Sequence, residues 1–251
     1  MTVLRGRVLP PLIAFVGFLA TWQAIVWIGG YPTFILPGPL VVAERFVQAW
    51  ADGTFWPHLT TTLAEIAVGF TAGAAAALPT GYVLARSRLA DRVVSPYLVA
   101  AQAVPILALA PLIALWFGTG LLARAIIVAL VVFFPVAISA MVAVRGIDRR
   151  LLEMARSYRV TRRQRISMVE IPAALPGIIG GLRIGITLAV VGAIVAEWTG
   201  GEHGLGVLIN LARGSLFDIP LLFATLVLIA IVGIVLYGSV LLVERWVVAR
   251  S

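Results

Sequence analysis

Residues 176–199 read PGIIGGLRIGITLAVVGAIVAEWT, with Arg183 near the start and Glu197 near the end as the only charges. At 1.5 Å per residue such a run crosses a hydrocarbon layer about 30 Å thick. A helix is the form that satisfies its own backbone polar groups there. Similar runs recur outward from this one, at roughly 10–29, 60–85, 94–116, 121–144 and 221–243. The sequence therefore predicts an all-α fold, a polytopic membrane helix bundle of about six transmembrane helices. It reads as a single domain over 1–251 with its core at 60–245.

Composition supports this. Hydrophobic residues make up 61% of the chain and charged residues 12%, and the mean hydropathy of +1.06 exceeds what a soluble core needs. A net charge of +8 would point to nucleic acid in a soluble protein. Here the basic residues sit in short connections between apolar runs, so they report membrane topology, attract anionic lipid headgroups and leave no nucleic-acid partner.

On one side fall Arg5, Arg7, Arg86, Arg88, Arg92, the eight arginines from Arg145 to Arg165, Arg245 and Arg250. Opposite are Arg45, Arg124 and Arg213, set among Glu44, Asp52, Glu202 and Asp218. The positive-inside rule then places both termini and the long basic loop in the cytoplasm.

All 19 basic residues are arginine, so the chain cannot supply the lysine of a phosphate-binding Walker A loop. Without cysteine it has no disulfide, thiolate nucleophile or Cys-ligated metal. His58 and His203 are its only histidines, and neither H-E-x-x-H nor G-x-S-x-G occurs, which leaves no case for an intramembrane enzyme. The run 9–28 is too long for a secretory signal and is read as the first retained helix.

Two external segments, VVAERFVQAW (41–50) and GGEHGLGVLINLARG (200–214), each read as holding a short amphipathic helix, the second after a glycine turn. Small residues recur every four positions, at Gly69, Gly73, Ala77 and Gly81 and again at Gly177, Gly181, Gly185, Ala189 and Ala193. Such a stripe lets another helix approach closely, within the chain or in a second copy. Pro105 and Pro111 interrupt the third span, Pro79 the second and Pro135 the fourth, as kinks that can line a pathway. Glu65 must face the protein interior or a wet cavity. With Pro105, Pro111 and Glu197 it is a candidate for the translocation pathway, Glu197 also being placed to bond the following glycine loop.

The region 145–172 is too polar to span a membrane. Its segment LLEMARSYRVTRRQRISMVEIP (151–172) predicts two short helices broken near Arg159 and Val160. Thr161 and Gln164 have capping-box spacing, and Pro172 and Pro176 are expected to separate this unit from the fifth span.

This segment resembles the cytoplasmic signature of permease subunits of ATP-binding-cassette importers: Glu-Ala-Ala, three residues, Gly, nine residues, Ile, one residue, Leu-Pro. Here stand Glu153, Met154 and Ala155, then Arg159 at the glycine position, then Val169, Ile171 and Pro172. An arginine there must adopt an ordinary backbone conformation or accept strain where glycine would turn freely. The stretches 103–118, 133–148, 171–185 and 196–209 narrow the likeness to the nitrate, sulfonate, taurine and bicarbonate branch.

The resemblance implies a multi-pass protein of a bacterial-type inner membrane, acting as the permease of an ATP-driven importer and itself not an enzyme. It implies a homodimer carrying ATP-binding cassette ATPase subunits, which hold ATP and Mg, and receiving solute from an external binding protein. No cofactor is expected in this chain. Glu153, Ala155, Arg156 and Arg159 fall in the implied coupling helix, the element that docks the ATPase. The opposite side shows no arginine cluster for a strongly anionic cargo, which favours a neutral or aromatic nutrient. The resemblance implies solutes that include vitamin-like heterocycles such as riboflavin or a thiamine-precursor pyrimidine. A small anion (sulfonate, taurine or nitrate) is the alternative solute. A channel or membrane scaffold without ATP coupling is the alternative class.

Overall fold

A computed structural model describes residues 2–248, with side chains from 9 to 246. The side chains of Arg5 and Arg7, and all of Arg250, lie outside the described residues. In chain order the elements are α1 (Thr2–Gly29), α2 (Pro39–Ala51), α3 (Phe55–Arg86), α4 (Arg88–Gln102), α5 (Ile106–Phe117), α6 (Leu121–Arg145) and α7 (Arg149–Ser157). A single turn α8 (Arg162–Gln164), a π-helical turn (Arg165–Glu170), α9 (Ile171–Glu197), α10 (Leu205–Arg213) and α11 (Ile219–Val248) follow. The helices α1, α3, α6, α9 and α11 are each long and apolar enough to cross a membrane, and α4 with α5 makes a sixth span if the bent pair counts as one.

That bend departs from the expected single helix over 94–116, since α4 and α5 meet at 95°. Pro105 stands at the N-cap of α5 with ψ 119°. It offers no N–H to a continuing ladder, and its ring disfavours helical geometry at Val104. The helices run on through Pro79, Pro111 and Pro135.

Nor do Pro172 and Pro176 end a unit, because α9 contains both. The π turn before them explains how. Ile171 N–H bonds to Ile166 O, five residues back, so the backbone is already widened where the Pro172 ring must pass.

The chain packs as two compact units, one from the residues up to His58 with Leu208–Leu228, the other from Leu59–Val207 with the residues from Ile229 onward. In the first, Arg45 of α2 bonds Asp218 at 2.7 Å, and Trp50 packs edge to face with Phe46 and with Phe55. Thr54 donates through its hydroxyl and its N–H to Asp52, which together with Arg45 holds that carboxyl below its ordinary range. Much of α1, including Phe15, Phe18 and Ile28, is exposed, as expected of a surface meeting lipid.

In the second unit α6 lies between α3 and α9, and both small-residue stripes face it. A Cβ added to Gly73 would come within 2.7 Å of Ala129 O, and one added to Gly177 within 2.7 Å of Ala143 Cβ. The stripes therefore serve packing inside one chain. Ile66, Ala77, Val132, Val136, Ala189 and Ala193 are buried in this core.

Candidate functional site

The second unit carries chemistry at both ends. Where α3 and α6 finish and α9 begins, the arginine-rich connection folds into a short, two-faced helix. Asp148 starts α7 by accepting the Arg150 N–H at 2.9 Å. Ala155 is buried, and Leu152 packs against a cluster of Val144, Ile147 and Ala174. Leu151, Met154 and Tyr158, spaced i, i+3 and i+7, turn outward with 40%, 51% and 77% exposure. Glu153, Arg156 and Arg159 are exposed beside them.

The structure thus separates residues that the sequence grouped. Glu153, Arg156 and Arg159 are available to a partner, whereas Ala155 belongs to the inward face, since successive helical residues diverge by about 100°. The outward apolar trio was missed, although its spacing stands in LLEMARSY.

Arg159 has φ 51°, in the left-handed region. Its N–H bonds Arg156 O at 2.9 Å and the Val160 N–H bonds Ala155 O at 3.4 Å, the two bonds of a Schellman helix end. Of the two outcomes open to an arginine at the glycine position, strain is the one realised, at about 1–2 kcal/mol. Thr161 then starts α8 with a complete capping box: its hydroxyl accepts the Gln164 N–H, and Gln164 Oε1 accepts the Thr161 N–H at 2.9 Å. A second helix thus follows the first after a fixed reversal.

Glu170, the last residue of the π turn, is buried and engaged from two directions. Tyr82 of α3 donates its hydroxyl to Oε2 at 2.8 Å, and Arg86 grips both oxygens, Nε at 3.2 Å and Nη2 at 3.1 Å. Arg165 Nε lies 3.0 Å from Oε1. Glu170 was not among the residues the sequence singled out. Nearby, Arg145 at the end of α6 pairs with Asp91 at 2.8 Å and donates to Leu84 O, tying α6 to α3 and α4.

At the other end, where α9 finishes, Glu65 and Glu197 come together. Arg124 of α6 bonds Glu65 at 2.5 Å and also donates to His203 O and Gly200 O. Glu197 accepts from the Thr62 hydroxyl and from the Gly206 N–H, each at 2.5 Å. Glu65, Glu197, Arg124 and Thr62 are all buried; the Glu65 and Arg124 charges, costly in lipid, are paired inside protein, and Glu197 is held by neutral donors. Thr61, Glu65, Arg124 and His203 border an adjoining cavity of about 490 Å³. Arg124, read from sequence only as a topology residue, is the hub of this cluster.

Pro105 lines a different, apolar cavity of about 550 Å³ with Leu109, Phe134 and Leu188, while Pro111 sits exposed within α5. The four pathway candidates thus fall in separate places, only Glu65 and Glu197 meeting. Among the described residues no group of His, Asp and Glu side chains gathers that could hold a metal ion.

The family described as binding-protein-dependent transport system inner membrane component matches residues 69–249. The chain is 46% identical to the riboflavin transport system permease protein RibX of Chloroflexus aurantiacus, over 92% of this chain and 85% of that protein. It is 29% identical to the taurine transport system permease protein TauC of Escherichia coli, over 87% of this chain and 81% of that protein. Among solved structures it shares its fold with a chain of the MetNI methionine ABC transporter in inward-facing conformations. That likeness has a TM-score of 0.68 at 23% identity, over 76% of this chain and 94% of the other.

Proposed function

The chain belongs to the family of binding-protein-dependent transport system inner membrane components, and from that premise we propose that it imports a neutral, vitamin-like heterocycle of the riboflavin kind. Two copies pair in the bilayer with both termini in the cytoplasm. Each carries an ATPase subunit that holds ATP and Mg, and an external binding protein delivers the solute. The chain has no lysine for a Walker A loop and relies on that ATPase for energy.

The observation that carries the coupling assignment is the outward face of α7. Leu151, Met154 and Tyr158 form an apolar stripe beyond the spans, among arginines, left uncovered by the described residues. Such a stripe fits a groove in the ATPase, with Glu153, Arg156 and Arg159 at its charged rim. Closure of the two ATPases on ATP would draw the α7 helices together and bias the bundle from inward-facing to outward-facing.

For the solute, 46% identity to a riboflavin permease is one support. The other is charge. Arg45 is engaged by Asp218 and Asp52, and Arg124 by Glu65, so these arginines of the side read as external are compensated rather than offered to an anion.

The test is reconstitution of the chain, its ATPase and its binding protein in liposomes with radiolabelled riboflavin. Uptake is expected to require ATP and the binding protein. Uptake of labelled taurine instead would move the solute to the sulfonates, and ATP-independent equilibration would overturn the importer reading.

A further inference from the structure

We infer that Glu170 is the positioning residue through which a pull on α7 reaches α3 and α9 together; the inference rests on the importer reading above. The continuous helical run from Arg162 to Glu197 leads from the coupling unit into the membrane, and Glu170 closes the π turn within it.

Tyr82 and Arg86 are one turn apart on α3, so both reach the same carboxylate from the end of that helix. Arg165 approaches from the start of the π turn, so the Arg165–Glu170 pair spans the wide turn from end to end. A buried carboxylate held by a two-pronged guanidinium resists opening, because parting them strands a charge away from water. The joint therefore moves as a body.

Polar bonds and packing act together at this end. Beneath the clasp lies an apolar cavity of about 330 Å³, bordered by Leu78, Tyr82, Val144, Ile166, Glu170 and Ile178. The polar clasp ties α3 directly to the base of α9, beside an apolar cluster that Tyr82, Ala85, Ala174 and Ile178 share, and α7 meets the same place through Leu152 in that cluster.

The absence of cysteine makes the chain its own background for a reporter. Trp198→Cys places a thiol at the exposed outer end of α9, about 40 Å along the helix from Glu170. In the complex with its ATPase in nanodiscs, the rate of maleimide labelling is measured with and without ATP and vanadate. With the clasp intact the rate should change about fivefold or more.

Glu170→Gln should keep ATP hydrolysis within about twofold while most of the labelling change disappears. Arg86→Gln leaves Glu170 its Arg165 counter-ion but cuts the link to α3, and should behave the same way. Either variant retaining the full labelling change overturns the inference. So does a parallel fall of hydrolysis, labelling change and unfolding temperature in both, which would mark Glu170 as a brace only. Failure of the ATPase to co-purify with the unmodified chain would instead remove the importer reading itself.

Discussion

Replacing Arg124 by glutamine should be among the most destabilising single changes in the chain. The Arg124 and Glu65 side chains are 5% and 1% exposed, and Arg124 also satisfies the carbonyls of His203 and Gly200. Its loss leaves a carboxylate without its cation in the protein interior, together with two loop carbonyls short of a donor. Removing one partner of such a pair costs about 3–5 kcal/mol. For a chain of this length, where 1 kcal/mol moves the midpoint by about 2–4 °C, the apparent unfolding temperature in detergent should fall by about 6–20 °C. Glu65→Gln removes the stranded charge, so Glu65→Gln with Arg124→Gln should recover more than half of that loss. Tryptophan fluorescence during a thermal ramp reads all three variants. A shift under about 2 °C for Arg124→Gln, or strict additivity in the double variant, would refute the view that this buried pair is held by mutual compensation.

The strained helix end makes a graded prediction: Arg159→Gly should preserve or raise thermal stability, whereas Arg159→Val should lower it by at least about 1 kcal/mol, because a branched side chain fits the left-handed region worst. Within the same fold, Gly73→Leu should destabilise, since its Cβ would meet the α6 backbone, while Gly180→Leu, with open space at the same atom, should insert and unfold as the unmodified chain does. Leu151→Asp together with Met154→Asp should weaken ATPase co-purification by about tenfold or more, leaving the unfolding temperature of the chain alone unchanged.

The spans were legible because lipid demands long apolar runs: 121–144 matches α6 to within one residue at each end, and 176–199 matches α9 to within five. The capping box was legible because Thr161 and Gln164 are neighbours whose spacing is local. The break at Pro105 was half legible: the sequence marks a kink, but a 95° turn depends on how α5 then packs against α6. The two faces of α7 were readable from spacing, yet the resemblance drew attention to the motif letters Glu153 and Ala155, one facing outward and the other inward.

The ion pairs were another matter. Arg124 meets Glu65 across 59 positions, and Glu170 meets Tyr82 and Arg86 across 88 and 84. Such partners are chosen by the docking of α3 against α6 and α9, for which a single sequence carries no local signal. Arginines sorted by topology gave no hint of which would be buried.

The central claim is that α7 faces the cytoplasm and is covered there by an ATPase. Ser157→Cys puts one thiol on that exposed helix in a chain that otherwise has none. A membrane-impermeant maleimide should label it in inside-out vesicles, fail to label it in right-side-out vesicles, and be blocked when purified ATPase is added. Labelling from the outside, or labelling from the inside that the ATPase leaves untouched, would contradict the account.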